Sequence, residues 1–185
     1  KVFITTKYKV HRTKGNREMI LENEKIKQAL EYIKEEDPAT TQDTLNMCQI
    51  PAPSYKEEKK AEYIRERFRE IGLRDVRIDA VGNVLGIWPG TGEGPSVMLA
   101  AHTDTVFPEG TDLTIRKEGN RYYCPGINDD THAVAEMIAV AKAMIHADLH
   151  TKGDLIFCAN VCEVSVRIRQ QSFRRMSRGR CICLD

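Results

Sequence analysis

With 185 residues, 41% of them hydrophobic and 30% charged, and a formal net charge of +1, the chain has the composition of a globular protein and the length of one domain. No apolar run approaches the roughly 20 residues that cross a bilayer, and the N-terminal KVFITTKYKVHRTKGNRE lacks an apolar signal core, so the expectation is a cytoplasmic protein without a membrane partner. Residues 164–185 hold six arginines, no lysine and one acid, which leaves the rest mildly acidic; that is not the basic folded face of a nucleic-acid binder.

Residues 1–21 read as an extension ahead of the domain, with Met19 as a natural start, because the first 17 carry six bases and no acid. From Glu22 to Glu35, Ile26, Leu30 and Ile33 recur at helical spacing, and Asp37-Pro38 offers an N-cap and first-turn proline for a second helix through Leu45 and Cys48. IPAPS breaks that helix. Ser54 and Glu57 form an S-x-x-E capping box for a third, with Ala61, Ile64, Phe68 and Ile71 on one face and Gly72 as its stop. Its basic residues Lys59, Lys60, Arg65, Arg67 and Arg69, interleaved with glutamates, read as a solvated surface.

DVRIDAVGNVLGIWPG alternates around Gly82-Asn83 as a hairpin, SVMLAA is a strand apolar enough to be buried on both faces, and TIRKEGNRYYC is a second hairpin turning at Gly119-Asn120. Residues 131–147, apolar almost all round, predict a buried helix, and GDLIFCANVCE another interior strand ended by Glu163. Helices alternating with buried strands predict an α/β fold, a three-layer α/β/α sandwich whose sheet is mixed because hairpins and crossovers both occur. The six cysteines, Cys48, Cys124, Cys158, Cys162, Cys181 and Cys183, contain no CxxC pair and read as reduced, small apolar residues.

Three places carry chemistry. His102 lies just past SVMLAA, where α/β sheets gather ligands, and a period of two sets Asp104 on its side, able to orient a metal-ligating imidazole; a surface histidine beside a turn aspartate is the bland reading. Asp129 and Asp130 follow a tight PGIN turn at the start of the buried helix, where acids also serve as N-caps. Glu163 closes a strand as His102 does, and strand-end glutamates are often merely solvated. His146 and His150, four apart near a helix end, read as favourable C-terminal cations and His132 as structural, none of them as ligands.

His-x-Asp, Asp-Asp and Glu at three strand or loop ends, together with IPAPS, GNVLGIWPG, AAHTDTVFPEG and PGINDDT, resemble the dinuclear-zinc exopeptidases and deacylases: carboxypeptidases, aminoacylases, acetylornithine deacetylase, succinyl-diaminopimelate desuccinylase and peptidase T. The likeness runs from about Glu24 to Glu163. It implies His102 as a zinc ligand, Asp104 as the carboxylate orienting it, Asp129 as the bridge between two zincs (manganese or cobalt being acceptable to the same donors) and Glu163 as general base. It also implies small peptides or N-acyl amino acids as substrates and a homodimer in the intact family.

After Glu163 the pattern stops. Val164 stands where the family has a ligating glutamate, and VRIRQQSFRRMSRGRCICLD reads as an aberrant tail, out of frame or from a broken gene. Relatives are roughly twice as long, so the expectation is a domain, residues 22–163, cut before its second half. His102 and Asp129 alone fall short of the three or four protein ligands of a stable zinc site. The chain as written is therefore expected to bind metal weakly and hydrolyse little. The rival reading is a dead fragment that associates with a full-length copy through open sheet edges.

Overall fold

The computed structural model describes residues 20–162 and, as backbone, 180–183. The expected N-terminal extension, apart from its last two residues, and most of the arginine-rich tail lie outside the described residues, as do Glu163 and Val164. Three helices open the fold: α1 (Glu24–Glu35), α2 (Asp37–Cys48) and α3 (Glu58–Glu70). Then come strands β1 (Arg74–Ile78), β2 (Val84–Trp88), β3 (Val97–His102), β4 (Arg116–Glu118) and β5 (Arg121–Tyr123), a single π-type turn over Ile127–Thr131, helix α4 (His132–His146), and strands β6 (Leu155–Asn160) and β7 (Arg180–Cys183).

The main sheet runs β1-β2-β6-β3-β7, while β4 and β5 form a separate hairpin. The pairs β1–β2 and β2–β6 are antiparallel, and β3 lies parallel to both β6 and β7, so the sheet is mixed. The parallel pair arises because the chain leaves β3, crosses over through α4 and returns in β6, a connection too long for a hairpin.

Alternation sorts the strands cleanly. Val84, Ala101, Leu155, Phe157 and Ala159 face the helices, meeting Ile64 and Phe68 of α3 and Val134, Met137, Ile138 and Ala141 of α4. Leu85, Met98, Ala100 and Cys158 form a second buried cluster on the opposite face, while among the described residues the helices lie on the first. Burial of a side chain such as Phe157 is worth roughly 1.5–3 kcal/mol. Gly86 lets α3 approach β2, since a Cβ there would lie 2.9 Å from Leu73 and 3.0 Å from Phe68. Helix α4 is apolar all round because α1 and α2 cover its outer side, with Ala29 of α1 packing on Ala143 and Ala147.

Some local expectations shift. Helix α1 begins at Glu24 with Asn23 as its cap, and it is Ala29 with Ile33 and Tyr32 that faces α4, leaving Leu30 45% exposed. Glu36, not Asp37, is the cap residue of α2. The charged face of α3 is not uniformly solvated: Arg67 turns inward to Asp43 at 2.9 Å, and Lys60 is only 2% exposed. Strand β6 ends at Asn160, so Glu163 does not directly close it.

Candidate metal centre

The carboxyl ends of β3 and β6 share one rim of the sheet, with His102 in register with Asn160. The IPAPS segment docks here, because Thr105 donates its N–H to the Ala52 carbonyl at 2.8 Å and pairs with Pro53. Docking brings the Ser54 hydroxyl to Asp104 Oδ2 at 2.6 Å. The anticipated capping box is therefore not formed. Ser54 serves Asp104, and Glu57 accepts the Cys162 N–H at 3.1 Å and its thiol at 3.2 Å, while no side chain caps α3.

His102 is held from three sides. Its Nδ1 lies 3.0 Å from the Asp104 carbonyl and 3.3 Å from Asp104 Oδ1, both acceptors, which places the ring proton there. Its Nε2 lies 2.9 Å from Asp129 Oδ1. Its main-chain N–H donates to Asp130 Oδ2 at 3.1 Å. His102, Asp104 and Asp130 are buried, whereas the Asp129 side chain is 81% exposed and so open to a ligand.

The turn that delivers the two acids starts at Gly126, φ +75°, where a Cβ would lie 2.6 Å from the Thr105 methyl. Asp129 and Asp130 have non-helical dihedrals and a cis peptide bond between them, and neither caps α4. Thr131 follows, its hydroxyl accepting from Lys60 Nζ at 3.3 Å. Burial pushes the Lys60 ammonium down to about 8, against the opposing pull of Cys48, Cys124 and Asp104, and burial pushes the Cys48 thiol up to about 12.

Do these groups suit a metal ion? With the proton on Nδ1, a neutral ring turns the Nε2 lone pair toward a carboxylate oxygen, and two acceptors rest 2.9 Å apart only if a proton or a cation lies between them. Donors about 2.0–2.1 Å from one zinc ion can be that far apart. His102 and Asp129 thus fit as two ligands of one ion. Among the described residues no group of three or more His, Cys, Asp or Glu side chains is placed to hold a metal, so the set is partial.

Of the four residues singled out from sequence, the structure gathers His102, Asp104 and Asp129, and Glu163 lies outside the described residues. His146 and His150 go separate ways, stacking on Tyr32 and on Trp88. Sequence reasoning missed Ser54, Glu57, Lys60 and Asn83 as parts of this rim. The IPAPS and GNVLG stretches were signals for Ser54 and Asn83, but not for what those side chains touch.

A model of peptidase family M28 matches residues 83–165. A candidate LysW-lysine/LysW-ornithine hydrolase of Pyrococcus abyssi is 45% identical over 60 residues, covering 32% of this chain and 17% of its own length. The dipeptidase Dug1p of Saccharomyces cerevisiae superposes with a TM-score of 0.68 at 17% identity, over 81% of this chain and 37% of that one. YXEP of Bacillus subtilis, a dinuclear metal-binding peptidase of the M20 family, gives a TM-score of 0.57 at 16% identity, over 76% of this chain and 40% of that one. The two structural matches speak for fold; the chain spans less than half the length of each of these relatives. Motifs and matches together support a likeness to the metallo-exopeptidases and deacylases, over part of their length.

Proposed function

We propose that this chain carries the first half of a metal centre for hydrolysing an amide bond in small peptides or N-acyl amino acids, acting in the cytoplasm. The observation that supports it most is the His102 clasp, with Nδ1 on Asp104 and Nε2 opposite Asp129. His102 and Asp129 would hold a divalent cation, zinc by the resemblance, with Asp129 able to bridge to a second. When bound, such a cation acidifies water and polarises the scissile carbonyl. Asp104 keeps the ring in the tautomer that offers Nε2 and raises its basicity. Ser54 fixes the Asp104 carboxylate in turn. Glu163, whose role rests on the resemblance alone, would take a proton from water and return it to the leaving amine.

Two candidate ligands among the described residues are fewer than the three or four usual for zinc, which supports a chain that holds metal loosely and turns over little. Zinc titration of the purified chain, alongside assays on dipeptide and N-acyl amino acid panels, tests this. Weak zinc binding with little or no turnover is expected. Two tightly held zincs with brisk hydrolysis would refute the weak-site reading, and no zinc binding at all would refute the metal centre.

A further inference from the structure

The Asp129–Asp130 pair divides its work in a way that the role of Asp129 does not explain. Asp130 is buried, has non-helical dihedrals and does not cap α4, so the ordinary reason for an acid at a helix start does not apply. Its carboxylate instead accepts the main-chain N–H of His102.

That N–H needs a partner. Thr103 donates its N–H to Asn160 of β6, so by strand alternation the N–H of His102 points to the other side of β3, toward β7. The described β7 register runs to Ala100 paired with Cys183. His102 lies two residues beyond that pair and is buried. A buried amide without an acceptor loses its water partner without compensation and destabilises the fold. Asp130 supplies the acceptor and at the same time pins the residue whose ring faces Asp129. Consecutive acids thus hold one histidine twice, one by its ring and one by its main chain.

We infer that Asp130 is a positioning residue, whose hydrogen bond to the His102 N–H fixes the end of β3 so that Nε2 stays opposite Asp129 and the pair can share a metal ion. The inference rests on the metal-centre reading for its consequence, though not for the bond itself. The distance from Asp129 Oδ1 to Nε2 is set by two backbone segments, the end of β3 and the 127–131 turn, and the Asp130 carboxylate ties one to the other. Without that tie the imidazole and the exposed Asp129 carboxylate can drift apart, and among the described residues no third donor is placed to compensate.

The test compares Asp130→Ala, which removes the acceptor, with Asp130→Asn, which keeps an oxygen in nearly the same place. Zinc alone is the calorimetric probe, and hydrogen exchange of the His102 amide, followed by NMR without metal, is the second readout. Asp130→Ala should weaken zinc binding about tenfold or more and speed exchange at His102, while Asp130→Asn restores most of both. Unchanged affinity and exchange in Asp130→Ala would overturn the inference. So would equal loss in both variants, because the carboxylate would then act through its charge or as a ligand. If the unsubstituted chain binds no zinc, the metal-centre reading fails, and the amide exchange still decides whether Asp130 holds His102. Should Asp130→Ala not fold, the protection of that amide in the unsubstituted chain and in Asp130→Asn carries the test.

Discussion

The two parallel strands at the centre of the sheet end side by side, yet their exits are built differently. At the end of β3 the polar groups converge on one histidine: Asp104 and Asp129 hold the His102 ring, and Asp130 takes its main-chain N–H. At the end of β6 they converge mainly on backbone, the Cys162 thiol on Glu57 being a side-chain contact. Asn83 accepts the Val161 N–H at 3.0 Å, and Glu57 accepts that of Cys162, which adopts φ +59°. Asn83 is itself fixed by Asp79, which takes both its main-chain and its side-chain N–H. One exit sets an imidazole nitrogen opposite an exposed carboxylate; the other fixes the direction in which the chain departs. Helix α3 joins them, with Glu57 just before its first turn reaching β6 and Lys60, three residues on, reaching the turn that faces β3.

Lys60 gives the largest expected effect. Its folded pKa of about 8 lies below the ordinary 10.5. Below pH 8 the amine is charged in both states and its burial destabilises the fold; that cost is relieved between about 8 and 10.5, where only the unfolded chain keeps the proton. The full difference is about 3 kcal/mol. Lys60→Met should therefore stabilise the chain at pH 7, with the advantage closing by about pH 10.5 in urea denaturation. Cys48, raised to about 12, works in the opposite sense above pH 9, so the comparison is the difference between the two proteins. A difference that does not change with pH would break the link between the exits.

Asn83→Ala should come next. It strands the buried Val161 N–H and costs about 1–3 kcal/mol of stability, measured by thermal unfolding, while zinc affinity at 20 °C stays as it was. A large loss of zinc affinity would show that the β6 exit also shapes the ligand pair. Ser54→Ala should do the reverse, weakening zinc binding about tenfold through Asp104 with little change in melting temperature. Smallest is a control away from both exits. His150 stacks on Trp88, and the Pro89 carbonyl together with Asp148 raises its pKa above 6.5. Trp88 fluorescence should fall as falling pH protonates His150, with a midpoint above that of a free imidazole and indifferent to zinc, and His150→Ala should abolish the change.

The sheet and α4 were legible because their signal is apolar periodicity, which burial enforces directly: Val84 to Trp88 alternates as a hairpin arm, and Val97 to Ala101 and Leu155 to Ala159 read as interior strands. His102 was legible because it follows such a run. What failed was local chemistry with two possible uses. Ser54 and Glu57 have the spacing of a capping box, but a hydroxyl that caps a helix can equally serve a buried carboxylate, and only the docking of IPAPS decides which. Lys60 stands in a run of alternating charges that looks solvated, and its burial follows from the rotation of α3 against β2, which the charge pattern does not encode. Leu30 was displaced for a similar reason: helix α4 presents alanines, and small Ala29 packs closer against them than leucine would.

Everything functional depends on His102 and Asp129 acting as a pair. Calorimetric titration of zinc into the chain and into His102→Ala and Asp129→Ala addresses that most directly. A single binding event, with a dissociation constant on the order of micromolar or weaker, should appear in the first and vanish from both variants while all three remain folded. Zinc uptake that survives either substitution, or that never occurs, would contradict the account.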